Sequence, residues 1–220
     1  MSDISQFIQG FQRFQQHYFQ QAPELFARLK HGQKPSTLLI GCCDSRVEPS
    51  LLLGCHPGQL FTIRNVANLV PPCIENDSTH HGVSAAIQFA VETLEVSDII
   101  VLGHRQCGGI HSLFSPASAD PKQLDFIRRW MDIATPAYTW VKTTLATAPQ
   151  EQQQRACEQA ALLISLKNLL TFPWVAQRLD RKQLSLHGWY FDLENGALLA
   201  YTPHNDDFVP IVCPMFAQAQ

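Results

Sequence analysis

Asp98-Ile99-Ile100-Val101-Leu102-Gly103-His104 is the stretch that decides the fold of this chain. Its apolar residues run continuously instead of alternating with polar ones. A strand of that kind has both faces covered, as in the middle of a parallel sheet. Just upstream, Val83, Ala86, Ile87, Ala90, Val91 and Leu94 recur at helical spacing, and Ser78 or Thr79 stands where an N-cap belongs. Further upstream, Thr37-Leu38-Leu39-Ile40-Gly41-Cys42-Cys43 follows Lys34-Pro35-Ser36 and reads as a buried strand. Leu60-Phe61-Thr62-Ile63-Arg64, after the turn at Pro57-Gly58, reads as another. Strand, helix, strand in this order predicts a parallel α/β sheet.

Downstream, residues 121–180 carry mainly helical patterns, broken near Pro136, Pro149 and Pro173. Leu162, Leu163, Leu166, Leu169 and Leu170 form one apolar stripe suited to a core. Leu184 to Phe191 and Ala197 to Tyr201 flank Glu194-Asn195-Gly196, the pattern of a hairpin at the sheet edge. The expected fold class is therefore α/β: a mainly parallel central sheet flanked by helices, with an antiparallel edge strand near the C-terminus. Residues 1–220 read as one domain, with an N-terminal helical arm over about residues 1–34. In that arm Phe7, Phe11, Phe14 and Tyr18 share one helix face, suited to packing on a core or on a partner subunit.

Composition narrows the function. The chain has 220 residues, 45% of them hydrophobic, enough for one substantial core. A net charge of -3 with no basic run gives no sign of a nucleic-acid partner. No apolar stretch reaches the length of a membrane span or a secretion signal, so no membrane is expected and the cytoplasm is the expected compartment. Seven cysteines, an odd number, suit free thiols and metal ligands in a reducing compartment better than a disulfide framework.

Two strand ends carry the chemistry: Cys42-Cys43-Asp44-Ser45-Arg46 and His104-Arg105-Gln106-Cys107-Gly108-Gly109. Parallel sheets bind ligands beyond the carboxyl ends of their strands. His104 and Cys107 are three residues apart, so a tight turn brings imidazole and thiolate to one metal, and zinc accepts both. Side chains alternate along a strand. If strand geometry runs through Arg46, then Cys42, Asp44 and Arg46 share a face, which selects Cys42 as ligand and leaves Cys43 a small buried hydrophobe. Cys55, Cys73, Cys157 and Cys213 lack paired spacing and read as structural. Three protein ligands leave a position for water, the pattern of catalytic zinc. Asp44 then orients that water or hydroxide, and Arg46 keeps the carboxylate off the metal.

These residues resemble the C-x-D-S-R and H-x-x-C motifs of the β-class carbonic anhydrases. The stretch from Gly58 to Asn68 is similar to the family's segment after its second strand, and the likeness runs from about Gln33 to Leu113. The resemblance implies one Zn2+ per subunit on Cys42, His104 and Cys107, and hydration of carbon dioxide to bicarbonate by a zinc-bound hydroxide. It maps the family's orienting and gating pair onto Asp44 and Arg46. It places Gln33, Phe61 and Phe89 in the substrate pocket, Phe89 standing where tyrosine is common, with Gly108 and Gly109 letting backbone approach the substrate. It implies dimers or tetramers whose pockets are shared between subunits. Some members bind regulatory bicarbonate on tryptophan, arginine and tyrosine. Those positions here are Leu39, Arg64 and Phe191, so that pocket is not expected and the site should rest open. His31, His80, His81 and His111 are all eligible to relay protons. Two other readings use the same residues: a hydrolase of carbonyl sulfide or carbon disulfide, and a non-catalytic zinc protein.

Overall fold

Strand β3, Asp98–His104, lies between two parallel neighbours, and its side chains are buried on both faces. The computed structural model describes residues 4–74, 80–115 and 126–213. Met1–Lys34 and Pro35–Gln220 are two compact units.

In the second unit a six-stranded sheet has the order β2-β1-β3-β4-β5-β6. Its strands are β1 Thr37–Cys42, β2 Leu60–Asn65, β3, β4 Ser185–Phe191, β5 Leu198–Thr202 and β6 Asp207–Val212. The first four pair in parallel, and β5 and β6 are antiparallel. This is the expected fold class. One detail differs from the expectation. The hairpin of β4 and β5 does not form the edge, because β6 follows and takes it. Pro210 and the two adjacent aspartates at 206–207 obscure β6 in the sequence, since proline cannot donate to a ladder and is confined to edges.

The continuous apolar pattern of β3 has the anticipated cause. Ile99 and Val101 join one core cluster with Leu38, Ile40 and Ile87, while Ile100 and Leu102 join another with Leu39 and Val47. The short helix α3, Pro49–Leu52, follows β1, and the helix foreseen between β2 and β3 is α4, Gly82–Gln88, continued by a wider π turn over Phe89–Thr93; α5, Gly108–Ser112, and α6, Phe126–Met131, come after β3. Ser78 and Thr79, the expected caps, lie outside the described residues.

Helix α8, Gln150–Leu169, crosses the sheet over glycines. A Cβ on Gly188 would lie 2.8 Å from Leu162 Cδ2 and 2.9 Å from Leu166 Cδ1, and one on Gly103 would lie 3.0 Å from Leu162 Cδ1. Of the leucine stripe, Leu162 and Leu169 are fully buried, but Leu170 follows the last helical residue and is exposed. Helix α7, Thr135–Thr144, takes Pro136 in its first turn; Pro149 precedes α8; and Pro173 opens α9, Pro173–Asp180. Each proline sits where a missing N–H costs least.

In the first unit, α1 covers Ser5–Gln15 and α2 covers Glu24–Leu29, with a π turn, Gln16–Gln21, between. Phe14, Tyr18 and Phe26 pack ring against ring at 4.7 to 5.5 Å. Ile4, Phe7, Ile8 and Phe11 are exposed.

Candidate metal centre

β1 ends at Cys42 and β3 ends at His104, so parallel pairing sets the two side by side at the carboxyl edge of the sheet. The chain turns after His104 and returns Cys107 to the same place. The donor atoms of Cys42, His104 and Cys107 all lie within 4.8 Å of one another, and all three residues are buried. The two sulfurs are 4.0 Å apart. Two thiolates on one tetrahedral zinc stand about 3.8 Å apart, from Zn–S bonds of about 2.3 Å.

The imidazole supplies the fit test. His104 Nδ1 lies 2.8 Å from the Arg105 carbonyl, which only accepts, so Nδ1 carries the proton. Nε2 then holds a lone pair, and this buried atom has no hydrogen-bond partner among the described residues. A buried lone pair among two thiols is a costly arrangement unless a cation takes it. The donor set fits a metal of zinc type.

The surroundings favour thiolate at Cys42. The Cys107 thiol beside it pulls Cys42 well below the ordinary thiol range, and the same contact with burial pushes Cys107 up. The Ala67 amide also points at Cys42 Sγ, 3.4 Å away. That amide is aimed by a turn in which Ala67 and Asn68 both adopt left-handed backbone, with φ of 63° and 48°. Such conformations persist only where neighbours over-determine them. Here Asn65 brackets both backbone groups of Leu69 at 2.9 Å, and Trp130 Nε1 donates to the Val66 carbonyl at 2.8 Å. Gly109 completes the fit: a Cβ there would lie 2.6 Å from Val66 Cγ1. At Gly108 a Cβ would meet nothing within 4 Å among the described residues.

Asp44 and Arg46 meet beside this group by a route other than strand alternation. The strand stops at Cys42, and residues 43–46 form a turn. Asp44 Oδ1 accepts from Arg46 N at 2.9 Å and Arg46 Nε at 3.0 Å, and Oδ2 accepts from Nη2 at 2.8 Å. The guanidinium holds the Asp44 carboxyl well below the usual carboxylate range. Oδ2 lies 3.9 Å from His104 Nε2. Cys43 is exposed, not a buried hydrophobe, because the turn directs it to solvent.

Arg64 staples the same turn. It donates to the carbonyls of Cys42, Asp44 and Val47 at 3.1, 2.9 and 2.8 Å, and pairs with Glu48 at 2.5 Å. Leu39 and Phe191 pack in the apolar cluster below. Beneath Cys107, Glu158 of α8 accepts from the Cys107 amide at 3.0 Å and from the Tyr190 hydroxyl at 2.6 Å. His111 Nε2 stands 3.4 Å from Glu158 Oε1. A cavity of about 350 Å³ is lined by Arg46, Arg105, Gln106, His111, Arg155 and Glu158, among others.

The sequence reading missed Glu158, Gln106 and the Val66–Asn68 turn. A signal for Glu158 existed: it shares the helix face of Leu162, Ser165 and Leu169, so a carboxylate interrupts a core stripe. Of the expected pocket residues, Gly108 and Gly109 directly follow Cys107 at the site, while Phe61 and Phe89 lie elsewhere. Phe61 and Phe89 pair ring to ring at 5.8 Å, but Phe61 aligns with Leu38 whereas Cys42 aligns with Asn65. Four residues of strand, about 13 Å, therefore separate Phe61 from the metal end of its own chain. Gln33 belongs to the first unit and is exposed, as is His31; His80 and His81 of the second unit are exposed too.

Fold and site together define a mainly parallel α/β protein with a Cys-His-Cys group able to hold a metal ion at its strand ends. The carbonic anhydrase family model matches residues 37–198. The chain is 36% identical over 206 residues to a carbonic anhydrase of Synechocystis, covering 94% of this chain and 74% of that protein. It is 37% identical over 188 residues to the mitochondrial β carbonic anhydrase 6 of Arabidopsis thaliana, covering 86% of this chain and 64% of that one. Among solved structures, the β-carbonic anhydrase CcaA superposes with a TM-score of 0.87 at 36% identity, covering 96% of this chain and 92% of that chain. A tetrameric β-carbonic anhydrase of Sordaria macrospora superposes with a TM-score of 0.71 at 25% identity, covering 94% of each. This chain belongs to the carbonic anhydrase family, in its β class.

Proposed function

We propose that the chain binds one Zn2+ and interconverts carbon dioxide and bicarbonate. The observation that carries this reading is the buried Nε2 of His104 among two thiols, without a hydrogen-bond partner among the described residues, with an ionised Asp44 beside it. Cys42, His104 and Cys107 would hold the metal. When bound, zinc supplies a Lewis acid that makes water nucleophilic near neutral pH. Asp44 accepts a hydrogen bond from the attacking water and orients it, and Arg46 occupies the carboxylate so that it stays off the metal. Gln33, Phe61, Phe89, Gly108 and Gly109 line the carbon dioxide pocket on this reading. Because Phe61 and Phe89 stand at the far end of their own strand pair, they serve the site of a second copy. Exposed Ile4, Phe7, Ile8 and Phe11 offer that copy an apolar face. Seven free thiols suit a reducing compartment, and we place the protein in the cytoplasm.

Stopped-flow hydration of carbon dioxide by zinc-loaded protein tests the reading, with carbon disulfide hydrolysis run in parallel. Cys42→Ser should lose zinc and activity together. Asp44→Asn should keep its zinc and lose rate by about 10²-fold, the scale of a misplaced proton acceptor. Full activity in Cys42→Ser, or turnover of carbon disulfide alone, would refute it.

A further inference from the structure

Arg46 has five N–H donors and no acceptor. Asp44 engages Nε and one Nη2 proton, which leaves the guanidinium one fork still to place. Gln106 takes it. Its carbonyl accepts from Nη2 at 2.9 Å, and its side-chain Oε1 stands 3.5 Å from Nη1. The Gln106 Nε2 donates in turn to Glu194 Oε1 at 3.1 Å. Glu194 is anchored from behind: its other oxygen lies 2.9 Å from Arg105 Nη1, and its amide donates to the buried Asp192 at 3.0 Å. Arg105 also pairs with Asp192 at 3.3 Å. The backbone at Gln106 is left-handed, with φ of 56°, an uncommon state for a residue with a side chain.

We propose that Gln106 is a positioning residue whose amide ties Arg46 to the β4–β5 turn through Glu194, fixing where the Asp44–Arg46 pair stands. The residue type follows from hydrogen-bond chemistry. Arg46 only donates, and both Glu194 oxygens face donors, Gln106 Nε2 and Arg105 Nη1. A side chain between them must accept on one end and donate on the other. Glutamine does both at the required length. Asparagine keeps the chemistry but is one methylene too short, and glutamate lacks the donor and opposes Glu194. Without the side-chain link Arg46 keeps Asp44 and the Gln106 carbonyl, but Nη1 loses its tie to the β4–β5 turn and the guanidinium can pivot about Nη2.

The catalytic arm of the test rests on the function proposed above; a spectroscopic arm does not. The protein is the full zinc-loaded chain. The variants are Gln106→Asn, Gln106→Glu, and the double exchange Gln106→Glu with Glu194→Gln. The double exchange restores an acceptor toward Arg46 and a donor in return, at unchanged net charge. Both single variants should keep their zinc and lose about tenfold in kcat for carbon dioxide hydration, the scale of one hydrogen bond to a charged group. The double exchange should return to within about twofold of the parent. The Arg46 Nε–H resonance, assigned by its loss in Arg46→Lys, should shift in both single variants and return in the double exchange. If the parent shows no hydration but the resonance behaves so, the positioning role stands and the functional reading falls. An unmoved resonance in the single variants, or a double exchange no better than Gln106→Glu in either readout, overturns the proposal.

Discussion

Replacing Glu158 by alanine tests whether the metal centre is supported from beneath. The side chain is buried, and burial pushes its carboxyl above the ordinary range. Two donors depend on it, the Cys107 amide and the Tyr190 hydroxyl. An orphaned buried donor costs about 1–3 kcal/mol, so two cost about 2–6 kcal/mol. Glu158 also lines the cavity shared with Arg46 and His111, through which water reaches the vacated space. Water recovers part of the loss, which favours the lower half of that range, about 2–4 kcal/mol. Glu158→Gln keeps an acceptor for the Cys107 amide, and the Tyr190 oxygen accepts from the new amide, so it should cost about 1 kcal/mol. Urea unfolding of metal-free protein reads both values. Because the Cys107 amide belongs to a metal-binding residue, zinc affinity in Glu158→Ala should fall about 10- to 100-fold in chelator competition. A Glu158→Ala loss under 1 kcal/mol, or a Glu158→Gln loss equal to it, would refute the reasoning.

Gly188→Ala should cost about 1–3 kcal/mol by overpacking, because Leu162, which its Cβ would meet, is fully buried. The urea midpoint should fall with the slope unchanged. Arg64→Met removes three carbonyl contacts from the turn of residues 42–47, and zinc affinity should drop about tenfold; Arg64→Lys should recover little, since an ammonium cannot span the three. In native zinc-loaded protein, alkylation should mark the exposed Cys43 and Cys213 and spare Cys157, whose thiol burial pushes up to about 12. Native-state labelling of Cys157 as fast as Cys43 would count against the packing around α8.

The parallel sheet is legible because β3 is apolar on both faces, and only a two-sided cover makes that pattern stable. The group of Cys42, His104 and Cys107 is legible because each ends, or closely follows, a strand whose position the apolar runs mark. Alternation picks Cys42 over Cys43 but gives the wrong reason for Asp44 and Arg46. They meet through a turn, with the Asp44 side chain accepting the Arg46 amide, and the same turn exposes Cys43. Glu158 and Glu194 are far in sequence from the motifs they support, and no local pattern encodes such contacts. β6 is obscured because Pro210 argues against a strand and only an edge position excuses it.

The aromatic pair poses a different problem for any single chain. Phe89 is 43% exposed while stacked near Phe61 on β2, an edge strand of the sheet. Exposed aromatic surface beside an edge strand invites association, since its burial is worth roughly 25 cal/mol per Å². The metal centre lies at the other end of β1, about four residues along, and so gains nothing from these rings within one copy. The second copy proposed above would resolve both facts at once: it would cover the rings and receive them as the apolar wall that a small linear substrate needs. On that proposal the catalytic unit is at least a dimer. Phe89→Ala should then lower hydration and weaken the dimer together, and a monomer of undiminished activity would sink the argument.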